Sequence, residues 1–189
     1  MPAINFIPFP DLLTEHLILR QLKMEDENEI FLLRSDERVN RFLDRARAAS
    51  IEDARLFIQK INTGIVNSEG IYWAIVSKTG TALIGTICLF NLSGEKNTAE
   101  IGYELLPAFH GKGIMQEAIS KVVDYGFDVM QLQTIEAVTH ADNISSIKAL
   151  EKNKFARDLP TENKLSSEEK SMNMVVYSLT GNAREKQIL

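Results

Sequence analysis

Residues 99–127 read AEIGYELLPAFHGKGIMQEAISKVVDYGF, and the periodicity of this stretch changes halfway along it. From Ala99 to Leu106 the residues alternate. Ala99, Ile101, Tyr103 and Leu105 share one face of a strand, and Glu100, Gly102, Glu104 and Leu106 share the other. Pro107 stops the strand, because proline has no N–H to give to a ladder. Beyond His110-Gly111-Lys112-Gly113 the spacing is helical. Met115, Ala118, Ile119, Val122, Val123, Phe127 and Met130 form an apolar face opposite Gln116, Glu117, Ser120, Lys121, Asp124 and Asp128. A strand, a glycine-containing turn and a helix N-terminus together bind anions. Free N–H groups leave the first turn, the helix dipole adds positive potential, and glycine lets a phosphate approach the backbone.

Two nucleotide motifs are excluded by identity at fixed offsets. A Walker loop requires glycine where Leu106 stands and Ser or Thr where Gly113 stands. A dinucleotide fingerprint requires glycine at Gln116.

Outward from this stretch, the chain reads as one domain over 1–189, with an N-terminal arm at 1–13 and a C-terminal tail at 181–189. Leu17–Arg20 predicts a first strand. Met24–Leu33 predicts a helix with Ile30, Leu32 and Leu33 inward, followed by a short segment opened by Ser35-Asp36. Ser50 and Asp53 form a capping-box pattern ahead of Ala54, Phe57, Ile58 and Ile61. Ile71–Ser77 and Thr81–Asn91 then make a hairpin, and a polar turn leads to the strand at Ala99. After the central helix come a strand at Thr134–Thr139 and a helix capped by Asn143, with Ile144, Ile147 and Leu150 inward. Strands near Phe155 and over Met172–Leu179 follow, with a polar, mobile loop expected over Thr161–Lys170. The long helix between the strands at Ala99 and Thr134 implies a parallel, right-handed crossover.

Composition narrows the function. The net charge of −5 argues against a general nucleic-acid binder and favours cationic partners. No apolar run approaches the ~20 residues of a membrane helix, and the N-terminus has no basic region typical of a secretion signal, so a cytoplasmic address is expected. Cys88 is the single cysteine, which excludes an internal disulfide. The spacing of His, Cys and Asp gives no metal site.

The loop resembles the coenzyme-A loop of the GNAT superfamily of N-acetyltransferases, Gln/Arg-x-x-Gly-x-Gly/Ala. His110 takes the first position, Gly113 the central glycine and Met115 the last small one, so two of the three depart from the pattern. Further on, Asn143, Ser146, Leu150, Glu151, Lys152 and Phe155 match the N-x-x-S-x-x-x-L-E-K-x-G-F signature of the Rim-type branch, which acetylates N-termini of ribosomal proteins. Lys154 replaces its glycine. The element order matches this fold over nearly the full length. The resemblance implies an α+β, three-layer fold whose mixed, mostly antiparallel sheet has roughly seven strands. That sheet is flanked by helices and splays between its fourth and fifth strands, at Ala99–Leu106 and Thr134–Thr139.

The resemblance also implies a reaction and its parts. Acetyl-CoA would be the co-substrate, with no metal. The loop His110, Gly111, Lys112, Gly113, Ile114 and Met115 would hold it, together with Leu105, Leu106, Asn143 and Ser146. Glu100 takes the place of the acidic residue that accepts the amine proton; as a plain strand residue it would be a solvated charge. Ser146 takes the place of the serine that protonates the departing thiolate, or it bonds a helix carbonyl. Leu150 fills the position where other members carry a tyrosine. Glu104 and Tyr103 are candidates for the acceptor site, Tyr103 having core packing as its other role. The acceptor would be a protein N-terminus or a small amine, the enzyme a monomer or homodimer, and the rival reading a silent acyl-CoA-binding module. Cys88 lies away from both motifs, so transfer without an acyl-enzyme is expected.

Overall fold

A computed structural model describes residues 5–182. Strands β1 (Leu12–Leu13) and β2 (Leu17–Gln21) lead through a 3-10 turn at Met24–Asp26 to α1 (Glu27–Ser35), α2 (Glu37–Asn40) and α3 (Ile51–Val66). Then come β3 (Ile71–Ser77), β4 (Leu83–Ser93), β5 (Thr98–Leu105), α4 (Ile114–Asp128), β6 (Thr134–His140) and α5 (Ile144–Lys152). The chain ends with β7 (Ala156–Arg157), α6 (Leu159–Glu162), α7 (Ser167–Ser171) and β8 (Met174–Thr180). Among the described residues the sheet has eight strands in the order β1-β2-β3-β4-β5-β6-β8-β7. Every junction is antiparallel except β5–β6, the pair that α4 connects.

Period-2 alternation gives the sheet two apolar faces, each covered by helices. On one, Leu17, Leu19, Trp73, Ile75, Ile87, Leu89, Ala99 and Ile101 pack against Ala118, Ile119, Val122 and Phe127 of α4 and Leu150 of α5. On the other, Ala74 and Leu83 pack against Ile30 and Leu33 of α1 and Ala54 and Ile58 of α3. The capping box of α3 forms as read: the Ser50 Oγ accepts from the Asp53 N–H, and the Asp53 carboxylate accepts from the Ser50 N–H.

Several expectations are corrected. Leu32 is 52% exposed, because it lies well round the helix from Ile30 and Leu33, and Ile144 is 53% exposed in the first turn of α5. The arm at 1–13 is packed where it is described. Phe6 is buried, the indole N–H of Trp73 donates to the Pro10 carbonyl at 2.8 Å, and β1 adds a strand to the expected number. The stretch 161–170 holds parts of two capped helices rather than a loop; Asp158 caps α6, and Ser166 with Glu169 forms a capping box on α7. Of the tail at 181–189, residues 183–189 lie outside the described residues. Among the described residues no helix is long and apolar enough to cross a membrane.

Candidate active site

The site begins where two strands part. β5 and β6 pair only at Thr98↔Thr134, Ala99↔Ile135 and Glu100↔Glu136. Beyond that point β5 stays with β4 as far as Leu105, while β6 stays with β8 as far as His140. The result is a wedge open toward the loop that follows β5. The Leu106 N–H donates to the Ile84 carbonyl at 2.9 Å, which fixes the phase of the β4–β5 ladder. By alternation, the N–H groups of Ile101, Tyr103 and Leu105 face the wedge. The Leu105 N–H is thus placed as a donor toward it.

The loop after β5 is shaped by its glycines. Gly111 has φ +74° and Gly113 has φ +78°, and a Cβ on either would meet nothing within 4 Å. Both therefore open onto free space with left-handed backbone that glycine adopts without strain. Gly113 is the N-cap of α4, so the free N–H groups of the first turn leave from an open surface. The His110 ring bonds the Leu105 carbonyl through Nε2 at 2.9 Å; since a carbonyl only accepts, Nε2 carries the proton. That bond ties the loop to the end of β5. Ile114 and Met115 turn inward against the main core, so the bulk of Met115 leaves the loop clear. Lys112 extends over the Phe109 ring. A groove of about 540 Å³ continues from Gly113 along α4, with Lys121 and Lys152 on its walls beside Gln116, Asn153 and the acids Glu117 and Asp124. The open nest of N–H groups fits a pyrophosphate.

Ser146 and Tyr103 meet across the wedge. Asn143 caps α5 by accepting from the Ser146 N–H at 3.3 Å, which orients the first turn. The Ser146 Oγ is 2.8 Å from the Tyr103 hydroxyl, which also lies 3.4 Å from the Ser146 carbonyl. Burial pushes the Tyr103 phenol up to about 12, so it keeps its proton as a donor. Tyr103 is therefore more than core packing. Its reach to Ser146 is a tertiary fact that strand alternation does not reveal.

The opposite face of β5 carries the acids. Burial raises the pKa of Glu100; the Asn91 side-chain amide, donating at 3.0 Å, opposes this, and Glu136 and Glu169 add like charge. Glu104 is engaged by Arg45 in a two-point contact, Nη2 to Oε2 at 2.9 Å, while Nε of Arg45 donates to the buried Asn40 at 2.8 Å. Nothing in the local sequence marks Arg45, which lies far from Glu104 in the chain. Leu105 and Leu106 diverge, Leu105 packing against the main core and Leu106 against the α1/α3 core. Cys88 is half-buried beside Gly102, and desolvation raises its thiol pKa, which makes it a poor nucleophile.

The strand pair is splayed beside a glycine loop at a helix N-terminus, with Glu100 on one face of β5 and Tyr103 and Ser146 on the other. Comparison with known proteins gives the family to which this arrangement belongs. The acetyltransferase (GNAT) domain family matches residues 16–156. An uncharacterized N-acetyltransferase of Bacillus subtilis, YoaA, is 39% identical over 150 residues, covering 79% of this chain and 85% of that protein. Among solved structures, the ribosomal-protein-S5-alanine acetyltransferase of Vibrio fischeri superposes with a TM-score of 0.71 at 20% identity, covering 92% of this chain and 97% of that one. The microcin C7 self-immunity acetyltransferase MccE, in complex with acetyl-CoA and AMP, gives 0.72 at 22% identity, covering 88% and 93%. The structural likenesses establish the fold, and the family match goes further. The chain belongs to the GNAT acetyltransferase family, and it is an acetyl-CoA-dependent N-acetyltransferase.

Proposed function

We propose that the chain transfers the acetyl group directly to a primary amine, with a protein or peptide N-terminus as acceptor. The observation that carries this is the wedge: strand pairing ends at Glu100↔Glu136, with Glu100 on one face of β5 and Tyr103 reaching Ser146 on the other. Acetyl-CoA supplies an activated acyl group with a thiolate leaving group. Gly111, Gly113 and the first turn of α4 hold its pyrophosphate. The N–H of Leu105 stabilises negative charge on the carbonyl oxygen. Glu100, its pKa raised by burial, takes the proton of the incoming ammonium through intervening water, since it lies several residues along β5 from Leu105. Ser146 gives its Oγ proton to the sulfur while the Tyr103 hydroxyl donates a hydrogen bond to the Oγ, and solvent returns a proton to Ser146 as Glu100 releases its own. Leu105 and the buried base of the wedge keep water from the acyl group.

The Rim-type motif on α5 supports a polypeptide acceptor; a small-molecule amine is the second reading, favoured by the like charges that Glu136 and Glu169 add to Glu100. Thiol release from acetyl-CoA, measured with peptides beginning in Ala, Ser or Met beside polyamines, aminoglycosides and amino acids, tests the proposal. Turnover of a peptide above every small amine is the expected result. Turnover confined to small amines would replace the acceptor, and no turnover of any amine would overturn the transfer itself.

A further inference from the structure

The acceptor face holds a cation that no carboxylate pairs among the described residues. The guanidinium of Arg34, on α1, lies 3.9 Å from the centroid of the Phe57 ring on α3. It is half-buried, and among the described residues neither an ion pair nor a hydrogen bond engages it. Burial first and Arg45 second lower its pKa, and Glu104 opposes them. Glu104, however, is already held at two points by Arg45. Arg34 thus sits half-buried near a carboxylate that Arg45 already neutralises, a costly arrangement that the Phe57 face only partly offsets.

This surplus is local. The chain as a whole carries −5, yet the segment 34–47 holds Arg34, Arg38, Arg41, Arg45 and Arg47 against Asp36, Glu37 and Asp44. Asp36 is taken by Arg38, and Arg47 stands 4.0 Å from Glu37. The segment also spans the mouth of the wedge. Phe42 stacks on His140 at the end of β6, with ring centroids 5.2 Å apart, and Arg45 reaches Glu104 near the end of β5. Glu100 and Glu104 share a strand face, roughly 13 Å apart along β5. The acceptor face is thus bipolar, with acids where the wedge closes and guanidinium groups at its mouth.

We infer that Arg34, beside the closed Arg45–Glu104 pair, forms a recognition site for a carboxylate on the acceptor, so that the preferred acceptor is a peptide with Asp or Glu within its first few residues. This rests on the transfer reading above and names the acceptor more closely. The reacting amine lies at the acyl carbon beside the Leu105 N–H, next to Glu104, and an extended chain advances about 3.3–3.6 Å per residue, so a side chain within the first few residues of the acceptor comes within reach of Arg34. Arginine suits the task, because its planar fork matches a carboxylate and it is more weakly hydrated than lysine. The overall acidic balance favours a cationic acceptor; the mouth of the site favours an anion on that acceptor.

The test compares peptides identical except for Glu, Gln or Lys at the third position, beside a small amine that carries a carboxylate. The wild-type kcat/KM should favour the Glu peptide over its Gln isostere by about 10- to 100-fold, the range for hydrogen bonds to charged groups. The difference should lie mainly in KM and shrink as salt is added. In Arg34→Gln the ratio should fall toward one, and in Arg34→Lys, which keeps the charge and loses the fork, it should lie between. A melting-temperature rise with acetyl-CoA shows that each variant is folded. Equal kcat/KM for Glu and Gln peptides in the wild type, or an unchanged ratio in folded Arg34→Gln, would overturn the inference while leaving transfer intact. Stronger turnover of the small carboxylate amine than of the Glu peptide would overturn the peptide assignment. No thiol release with any amine would overturn the transfer reading, and this site with it.

Discussion

Ser146→Ala separates the stability of the wedge from its chemistry. Ser146 Oγ and the Tyr103 hydroxyl are 2.8 Å apart in a half-buried setting. Loss of Oγ removes one hydrogen bond, but the phenol keeps the carbonyl of residue 146 at 3.4 Å, which alanine also provides. The cost should therefore be an ordinary net hydrogen bond, about 1 kcal/mol, and not that of a stranded donor. In a domain of this size that lowers the melting temperature by roughly 2–4 °C. The kinetic effect should be larger. A general acid contributes ~10²–10⁴-fold, and a thiolate leaves fairly well unaided, so kcat should fall toward the low end of that range, about 10²-fold or less. The stabilisation by acetyl-CoA should be unchanged, because the phosphate loop is untouched. Tyr103→Phe removes the other half of the pair, and the double variant should be little slower than the worse single one. Steady-state thiol release at saturating acetyl-CoA reads the rates. Wild-type kcat in Ser146→Ala, or effects that multiply in the double variant, would refute a shared role.

Three further outcomes follow from the geometry. Glu100 has a raised folded pKa, so the stability it offers is full below the unfolded carboxylate range and is lost as pH rises through the folded value. Glu100→Gln should thus melt higher than wild type near neutral pH and equally at acid pH, while losing most rate at low pH, where the amine is protonated. Gly113→Ala meets no clash, so left-handed strain alone should act, about 1–2 kcal/mol, and weaken acetyl-CoA binding by disturbing the nest; a melt and a ligand titration check both. Lys154 has φ +69°, in the place where the Rim-type signature has glycine. Lys154→Gly should relieve part of that strain and raise the melting temperature by a few degrees, less the larger unfolded entropy of glycine.

Much of this architecture was legible because the signals were local. The switch from period 2 to period 3.6 around Pro107 located β5 and α4, and the boundaries of β3 came out as read. The caps at Ser50 and Asn143 could be read from side-chain type and offset. Illegible features were those that depend on distant partners. Tyr103 alternates inward like any core residue, and only the docking of α5 reveals its bond to Ser146. Arg45 lies in a segment without clear periodicity, and only the sheet brings it to Glu104. The S-x-x-E pattern at Ser166–Glu169 was a readable capping box hidden by its polar surroundings. The two residues of β1 were too few to show any period.

The central claim is direct transfer inside the wedge, with both substrates bound together. Initial rates of thiol release, measured over a grid of acetyl-CoA and peptide-amine concentrations, test it most directly. Intersecting double-reciprocal lines, with no thiol released when the amine is left out, are the predicted result. Parallel lines with a burst of thiol in the absence of amine would mean an acyl-enzyme, and would contradict the account.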